Sequence, residues 1–258
     1  MATKPRRIVL KFGSGILANT RGTSLDERQF QRLCAEIAGL VKGGDEVVVV
    51  SSGAVAAGLG VLGLKERPED LAARQACAAI GQSRLMQSYA THFATHGLHV
   101  AQLLLTYKDL DSRTAYQNVR NTLARIFERK TVVPIINEND SVAVEELKFG
   151  DNDKLSAEVA VLVEADLLIL LTSVDGLLDK AGKLVRVVKD IDRVAGFARH
   201  EKGKFSVGGM ISKLQAVKVA VDAGISTYIA GGRNAGRIPA IAAGQPVSTR
   251  FIAKGESV

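Results

Sequence analysis

An α/β protein with a mainly parallel sheet, covered by helices on both faces, is the fold class this sequence predicts. Three observations carry it. Short β-branched runs alternate along the chain with longer stretches whose apolar residues recur at helical spacing. Several runs, such as 46–50 and 166–171, are almost wholly apolar after their first residue, the pattern of strands buried on both faces. Polar or glycine-rich pieces follow the runs at 13–15, 51–53, 137–140, 172–176 and 231–232. In a parallel sheet those pieces fall at the carboxyl ends of the strands, where ligands bind.

Taken in order, Arg7 to Phe12 is a buried strand that ends at Gly13-Ser14-Gly15. Between Leu25 and Val41, Phe30, Leu33, Cys34, Ile37, Leu40 and Val41 recur as one helix face, and Gly43-Gly44 stops the helix. Glu46 to Val50 is the second strand, with Ser51-Ser52-Gly53 directly after it and a helix from about Ala54. A loop around Pro68 leads to Asp70–His96, one long helix or two broken near Gly81. Leu98 to Leu105 is a strand, Arg113 to Arg129 a helix, and Thr131 to Ile136 a fourth strand. A helix over Asn152 to Val163 and a strand over Asp166 to Leu171 follow. Residues 177–208 read as mixed, hairpin-like pieces. Met210, Leu214, Val217 and Val221 mark a helix opened by Gly208-Gly209, then come strands over Ile225 to Ala230 and Ser248 to Ile252.

The 258 residues suit one large α/β domain or two small ones, and 47% hydrophobic with 24% charged residues is an ordinary globular balance. No apolar run approaches the roughly 20 residues of a membrane span, and the N-terminus lacks the apolar core of a signal peptide. Cys34 and Cys77 have no metal spacing and sit in helical patterns, which reads as buried thiols in a reducing cytoplasm. A net charge of +7 raises nucleic acid as a partner, but Lys and Arg are dispersed and aromatics are only 5%, so stacking platforms are scarce. Anionic small substrates account for the charge as well, and no nucleic acid or membrane partner is expected.

Familiar motifs fail on context. Gly58 to Gly63 fits GxGxxG but lies well past the strand ending at Val50, with no acidic residue placed as a dinucleotide site needs. There is no P-loop sequence. Asp151-Asn152-Asp153 starts like a calcium loop, yet Leu155 and Ser156 occupy the ligand and glycine positions. His92 and His96 lack a third ligand, and no metal site is expected. No Ser-His-Asp or Cys-His arrangement stands out.

Two clusters of amides and carboxylates remain. Asn137-Glu138-Asn139-Asp140 follows an apolar strand, and Asp151-Asn152-Asp153 precedes a helical pattern. At about 3.3 Å per strand residue, an out-and-back excursion over 141–149 lets both clusters meet at one site. Each alone reads as a polar loop with turn and N-cap roles. Two lysines add to the pattern: Lys11 inside a buried strand before a glycine turn, and Lys213 one turn into a glycine-opened helix. Glycine turns and helix starts expose N–H groups on which phosphate oxygens dock.

With these residues in view, the sequence resembles the amino-acid kinase family. The matching pieces are VLKFGS from Val9, VSSGAVAAG from Val50, INEND from Ile136, GDNDKLS from Gly150, LTSVDGL from Leu171 and GGMISK from Gly208. They span nearly the whole chain in the family's order, and the SSGA, INEND and GDND pieces point to its glutamate-phosphorylating branch. The resemblance implies a three-layer αβα sandwich of the carbamate kinase-like type. It places amino-acid binding in residues of about 1–165 and ATP binding in about 166–258. Many members of that branch carry a further RNA-binding PUA domain, and this chain stops about where one would start, so none is expected. Ser206 stands where the family often has glycine, and a slightly different ATP loop is expected there.

The resemblance further implies transfer of a phosphoryl group from ATP, with Mg²⁺, to the side-chain carboxylate of L-glutamate, in the cytoplasm and in a homo-oligomer, a dimer or tetramer. A functional link to glutamyl phosphate reductase and proline biosynthesis comes with it, as does feedback by proline. Lys11 and Lys213 hold the phosphoryl group and Asp153 orients them as the catalytic set. Ser52, Gly53, Ala54, Asn137, Asp140, Asp151 and Asn152 hold the amino acid. Lys11, Gly13, Ser14, Thr172, Ser173, Val174, Asp175, Val207, Gly208, Gly209, Met210, Ile211, Ser212 and Lys213 contact ATP. Mg²⁺ rides on phosphates and water, with no protein ligand assigned. The competing readings are a family member acting on N-acetylglutamate, aspartate or carbamate, and a non-catalytic regulatory member. N-acetylglutamate has no free ammonium to pair with Asp140, and the retained Lys11, Asp153 and Lys213 speak against a non-catalytic role.

Overall fold

The computed structural model describes residues 5–143, 152–194, 196–197 and 209–256. Asp151, Val207 and Gly208, the Ser206 loop and the excursion beyond Ala143 lie outside the described residues. The strands are β1 Arg7–Phe12, β2 Glu46–Ser51, β3 His99–Leu105, β4 Val132–Glu138, β5 Leu167–Thr172, β6 Val187–Val188, β7 Ser226–Gly231 and β8 Thr249–Phe251. The helices are α1 Ser14–Leu17, α2 Glu27–Lys42, α3 Ala54–Leu62, α4 Leu71–Ala94, α5 Tyr107–Asp111, α6 Arg113–Phe127, α7 Asp153–Leu162, α8 Ile191–Val194, α9 Gly209–Asp222 and α10 Arg237–Ala242.

The strands form one sheet in the order β3-β4-β2-β1-β5-β7-β8-β6. Every neighbouring pair is parallel except β7 with β8. Strand β1 has β2 on one side and β5 on the other, so the chain fills one half of the sheet and then returns to build outward from β1 again. In open parallel sheets such a reversal marks the carboxyl ends of the central strands as the place where ligands bind.

Alternate side chains enter opposite layers, as a period of two requires. Ile8, Leu10 and Phe12 pack with α2, α3, α4 and α10 residues such as Phe30, Leu59, Tyr89 and Ile238. Val9 faces the other way, onto α6, α7 and α9 residues such as Phe127, Val159 and Val217. Strand β5 divides in the same manner, Leu167, Ile169 and Leu171 against Leu168 and Leu170. Each such side chain stabilises the fold by roughly 1.5–3 kcal/mol when fully buried. The predicted three-layer sandwich is the observed architecture.

The differences are local. Strand β4 runs on through Asn137 and Glu138, because β3 continues to pair with them as Leu104↔Asn137 and Leu105↔Glu138. Helix α4 is unbroken at Gly81, whose missing side chain is a packing device: a Cβ there would lie 1.8 Å from the Ala54 carbonyl oxygen. Gly58 mirrors it, with a built Cβ 1.9 Å from the Cys77 carbonyl oxygen, so α3 and α4 cross backbone to backbone. The GxGxxG stretch is thus helix, ending at Gly63 in a left-handed conformation with φ 66°. Residues Ser14 to Leu17 form a helical turn rather than an open glycine turn. The short helices α1, α5, α8 and α10 escape periodicity because they are too brief to show it; α5 is instead set by a Thr106–Asp109 capping box.

Candidate active site

Lys11 follows Val9 by two residues, so its side chain must enter the layer that α7 and α9 cover. There its Nζ lies 2.6 Å from Asp153 Oδ1. Asp153 opens α7, and its Oδ2 takes Lys213 Nζ of α9 at 3.0 Å and Ser212 Oγ at 3.1 Å. Lys213 Nζ also approaches the Gly209 carbonyl at 3.4 Å. Lys11 is 1% exposed, Asp153 0% and Lys213 5%. Removing two ammonium groups and one carboxylate from water is costly. Among the described residues the cluster joins two ammonium groups to one carboxylate, an arrangement that suits an anionic guest.

One residue earlier on the same helix start, a second buried set is neutral. Asn152 Nδ2 donates to the Ser51 carbonyl at 2.7 Å, to Asn137 Oδ1 at 2.8 Å and to Ser52 Oγ at 3.2 Å. Asn137 Oδ1 also accepts from the Glu138 N–H at 2.9 Å, and Asn137 Nδ2 donates to Gln82 Oε1 at 2.9 Å. Ser51 Oγ and the Tyr89 hydroxyl are 2.9 Å apart, and burial pushes the Tyr89 phenol pKa up, so it stays neutral. Asn152 Oδ1 is buried with no hydrogen-bond partner among the described residues.

Gly53 adopts φ 107°, which favours glycine, and turns the chain from β2 into α3. The Ser52 N–H donates to the Phe12 carbonyl at 3.1 Å and the Gly13 N–H to the Leu171 carbonyl at 3.4 Å. The donors at these strand ends are therefore the first-turn N–H groups that begin at Ala54 and Ser14. Asp140, two residues past β4, is 8% exposed, and its Oδ1 is also without a hydrogen-bond partner among the described residues. Burial pushes the Asp140 carboxyl up to about 6, with the Arg67 guanidinium partly offsetting it.

On the other side of β1, Thr172 ends β5 and Ser173, Val174 and Asp175 form the turn after it. Asp175 Oδ1 accepts from Asn234 Nδ2 at 2.6 Å and from the Arg237 guanidinium at 3.5 Å. Gly231 packs closely beside it: a Cβ there would stand 2.4 Å from Asp175 Oδ1 and displace that side chain. Gly209 begins α9 at φ 59°, Met210 is buried and Ile211 is 53% exposed. Among the described residues no group of three or more His, Cys, Asp and Glu is placed to hold a metal ion. Both Asp153 oxygens are engaged by lysines, so this carboxylate does not fit a direct metal ligand.

The sequence matches the model of the amino acid kinase family over residues 6–231. The chain belongs to the amino acid kinase family. Among curated members it is 44% identical to "Glutamate 5-kinase" of Citrifermentans bemidjiense over 265 aligned residues, covering 99% of this chain and 70% of that one. It is 45% identical to "Glutamate 5-kinase" of Moorella thermoacetica over 257 residues, 97% of this chain and 68% of the relative. In fold it matches a carbamate kinase from Giardia lamblia bound to AMP-PNP, with TM-score 0.66 and 14% identity over 97% of this chain and 99% of the other. A UMP kinase from Bacillus anthracis aligns at TM-score 0.63 and 15% identity, covering 98% of each chain.

Within this family member, the structure joins Lys11, Asp153, Ser212 and Lys213 in one cluster, and Ser52, Asn137 and Asn152 in another. Among the described residues Asp140 hydrogen-bonds to neither cluster; it lies buried two residues past β4. Sequence reasoning missed Gln82, Tyr89 and Arg67 on or before α4, and Asn234 and Arg237 beside Asp175. Only the glycines at 231–232 hinted at the last pair. The α4 residues carry no local signal, since a Gln in an amphipathic helix reads as solvated surface.

Proposed function

We propose that this chain transfers the γ-phosphoryl group of ATP to the side-chain carboxylate of L-glutamate, giving L-glutamyl 5-phosphate, the first step towards proline. The observation that carries the reading is the 44–45% identity, over nearly the whole chain, to curated glutamate 5-kinases. The buried Lys11–Asp153–Lys213 cluster supports it, because its lysines suit an anion in transit.

The nucleophile belongs to the substrate. A glutamate side chain with pKa about 4.3 is already ionised at neutral pH, so no general base is needed. The difficulty is bringing a carboxylate against a polyanion, which makes catalysis a matter of positioning and charge stabilisation. Lys11 and Lys213 neutralise the transferring phosphoryl oxygens, and Asp153 holds both ammonium groups in place. The N-terminus of α3 adds a fixed dipole at the same strand ends. Asp140 and Asn152, with Asn137, Asp151 and the Ser52-Gly53-Ala54 turn, hold the ammonium and carboxylate ends of the amino acid. Thr172 to Asp175 and Val207 to Lys213, with Gly13 and Ser14, hold ATP. This divides the work between residues of about 1–165 and about 166–258. Magnesium travels on the nucleotide's phosphates and water.

By the same family likeness the enzyme is a cytoplasmic homo-oligomer whose acyl phosphate product passes to glutamyl phosphate reductase. No described helix is long and apolar enough to cross a membrane. The test is ADP release from ATP with a panel of acids, trapping any acyl phosphate as its hydroxamate. Glutamate-dependent hydroxamate is expected. Turnover with N-acetylglutamate, aspartate or carbamate instead would move the substrate assignment, and turnover with none would overturn the kinase reading.

A further inference from the structure

Gln82 stands in α4, outside every motif described above, one residue beyond the glycine that lets α4 touch α3 backbone to backbone. That contact brings its side chain to β4, where Oε1 accepts from Asn137 Nδ2 at 2.9 Å. The direction of each amide in this set is fixed by backbone groups. The Glu138 N–H can only donate, and it donates to Asn137 Oδ1 at 2.9 Å, which turns Asn137 nitrogen toward Gln82. The Ser51 carbonyl can only accept, and it takes Asn152 Nδ2 at 2.7 Å. Asn137 Oδ1 takes the same nitrogen at 2.8 Å. Asn152 Oδ1 is therefore turned away from all of them, fully buried, with no partner among the described residues.

We propose that Gln82 is a positioning residue for the amino-acid substrate: it anchors Asn137, Asn137 anchors Asn152, and Asn152 Oδ1 is thereby presented to the substrate's ammonium. The identity of that donor rests on the glutamate kinase reading, whereas the relay of amides does not. Without an acceptor at position 82, the Asn137 nitrogen is a buried donor lacking a partner. The amide rotates to relieve it and loosens its hold on Asn152. Among the described residues the ion pairs of the lysine cluster come from β1, α7 and α9. The defect therefore falls on the amino acid and not on the nucleotide.

The substitution Gln82→Met removes the acceptor at similar volume, and Gln82→Glu keeps it. Steady-state kinetics of Gln82→Met should show a glutamate KM raised about tenfold, the worth of one buried hydrogen bond, with the ATP KM and kcat within about threefold of wild type. Gln82→Glu should restore glutamate KM to within about threefold of wild type, since Gln102, whose Oε1 accepts from Gln82 Nε2 at 3.2 Å on the exposed side, can reverse its own amide. A second readout needs no turnover: with ¹⁵N-asparagine labelling, the Asn152 side-chain hydrogens should exchange slowly in wild type and Gln82→Glu, and faster in Gln82→Met. If wild type turns over no glutamate, the functional reading fails while the exchange measurement still tests the relay. Unchanged Asn152 exchange in Gln82→Met overturns the proposal. So does a glutamate KM unmoved in Gln82→Met, an equal rise in both KM values, or Gln82→Glu behaving as Gln82→Met.

Discussion

Asn152 and Asp153 are adjacent at the start of one helix and both fully buried, yet they organise two sites of opposite character. Around Asp153 charge dominates: two ammonium groups on one carboxylate, drawn from β1 and α9, with the Ser212 hydroxyl beside them. Around Asn152 everything is direction: neutral amides and a backbone carbonyl, each with a fixed donor or acceptor sense. Charge in a low-dielectric interior is strong and tolerant of angle, which suits a phosphoryl group in motion. Neutral hydrogen bonds are weaker and geometrically selective, which suits recognition of one amino acid. On this reading, damage near Asp153 falls on the chemical step and on folding, and damage near Asn152 falls on substrate affinity.

The largest effect should come from Asp153→Ala, which leaves Lys11 and Lys213 buried without their carboxylate. Breaking a buried pair in this way costs about 3–5 kcal/mol, so Tm in a thermal melt should fall by on the order of 10 °C and turnover should vanish. A melt within 2 °C of wild type, about half a kcal/mol for a domain of this size, would show that the cluster does not bear on folding.

Lys213→Ala removes one phosphoryl-stabilising charge and leaves the amide set intact. Its kcat should drop about 10²–10³-fold, the scale of losing one preorganised charge or donor in a transition state, while glutamate KM moves little. An unchanged kcat would remove Lys213 from the chemistry. Asp140→Ala should do the reverse, raising glutamate KM by about 10–100-fold with kcat largely kept, since a buried carboxylate facing an ammonium is worth a few kcal/mol. A glutamate KM equal to wild type would place the ammonium elsewhere.

The smallest effect is a pH dependence. Burial pushes the Asp140 carboxyl up to about 6, above an ordinary value of 3.8. Pairing an ammonium needs the ionised form, so kcat/KM for glutamate should fall below pH about 6 with a slope approaching tenfold per unit. For folding the sign is opposite. The folded state holds this proton more tightly than the unfolded chain, so the stability it contributes is present in acid and lost as pH rises through about 6. Glutamate should therefore raise Tm more at pH 7.5 than at pH 5, and an equal rise at both would detach Asp140 from the substrate.

The sequence by itself determined the three-layer architecture, because continuous apolar runs such as Leu167–Leu171 are stable only when covered on both faces. It also determined which strand ends carry polar residues, and so which edge of the sheet holds the site. A buried lysine between Leu10 and Phe12 was legible as unusual for the same reason. Its partner was legible only through the family resemblance, which names Asp153 and Lys213; the residues by themselves do not give it, because the packing of α7 and α9 against one face of β1 brings them to Lys11 and no local periodicity encodes a distance between separate helices. The direction of each amide was equally hidden. Asparagine and glutamine donate and accept through one planar group, and only the fixed backbone groups of Ser51 and Glu138, set by strand pairing, decided which end of Asn152 was left facing inward.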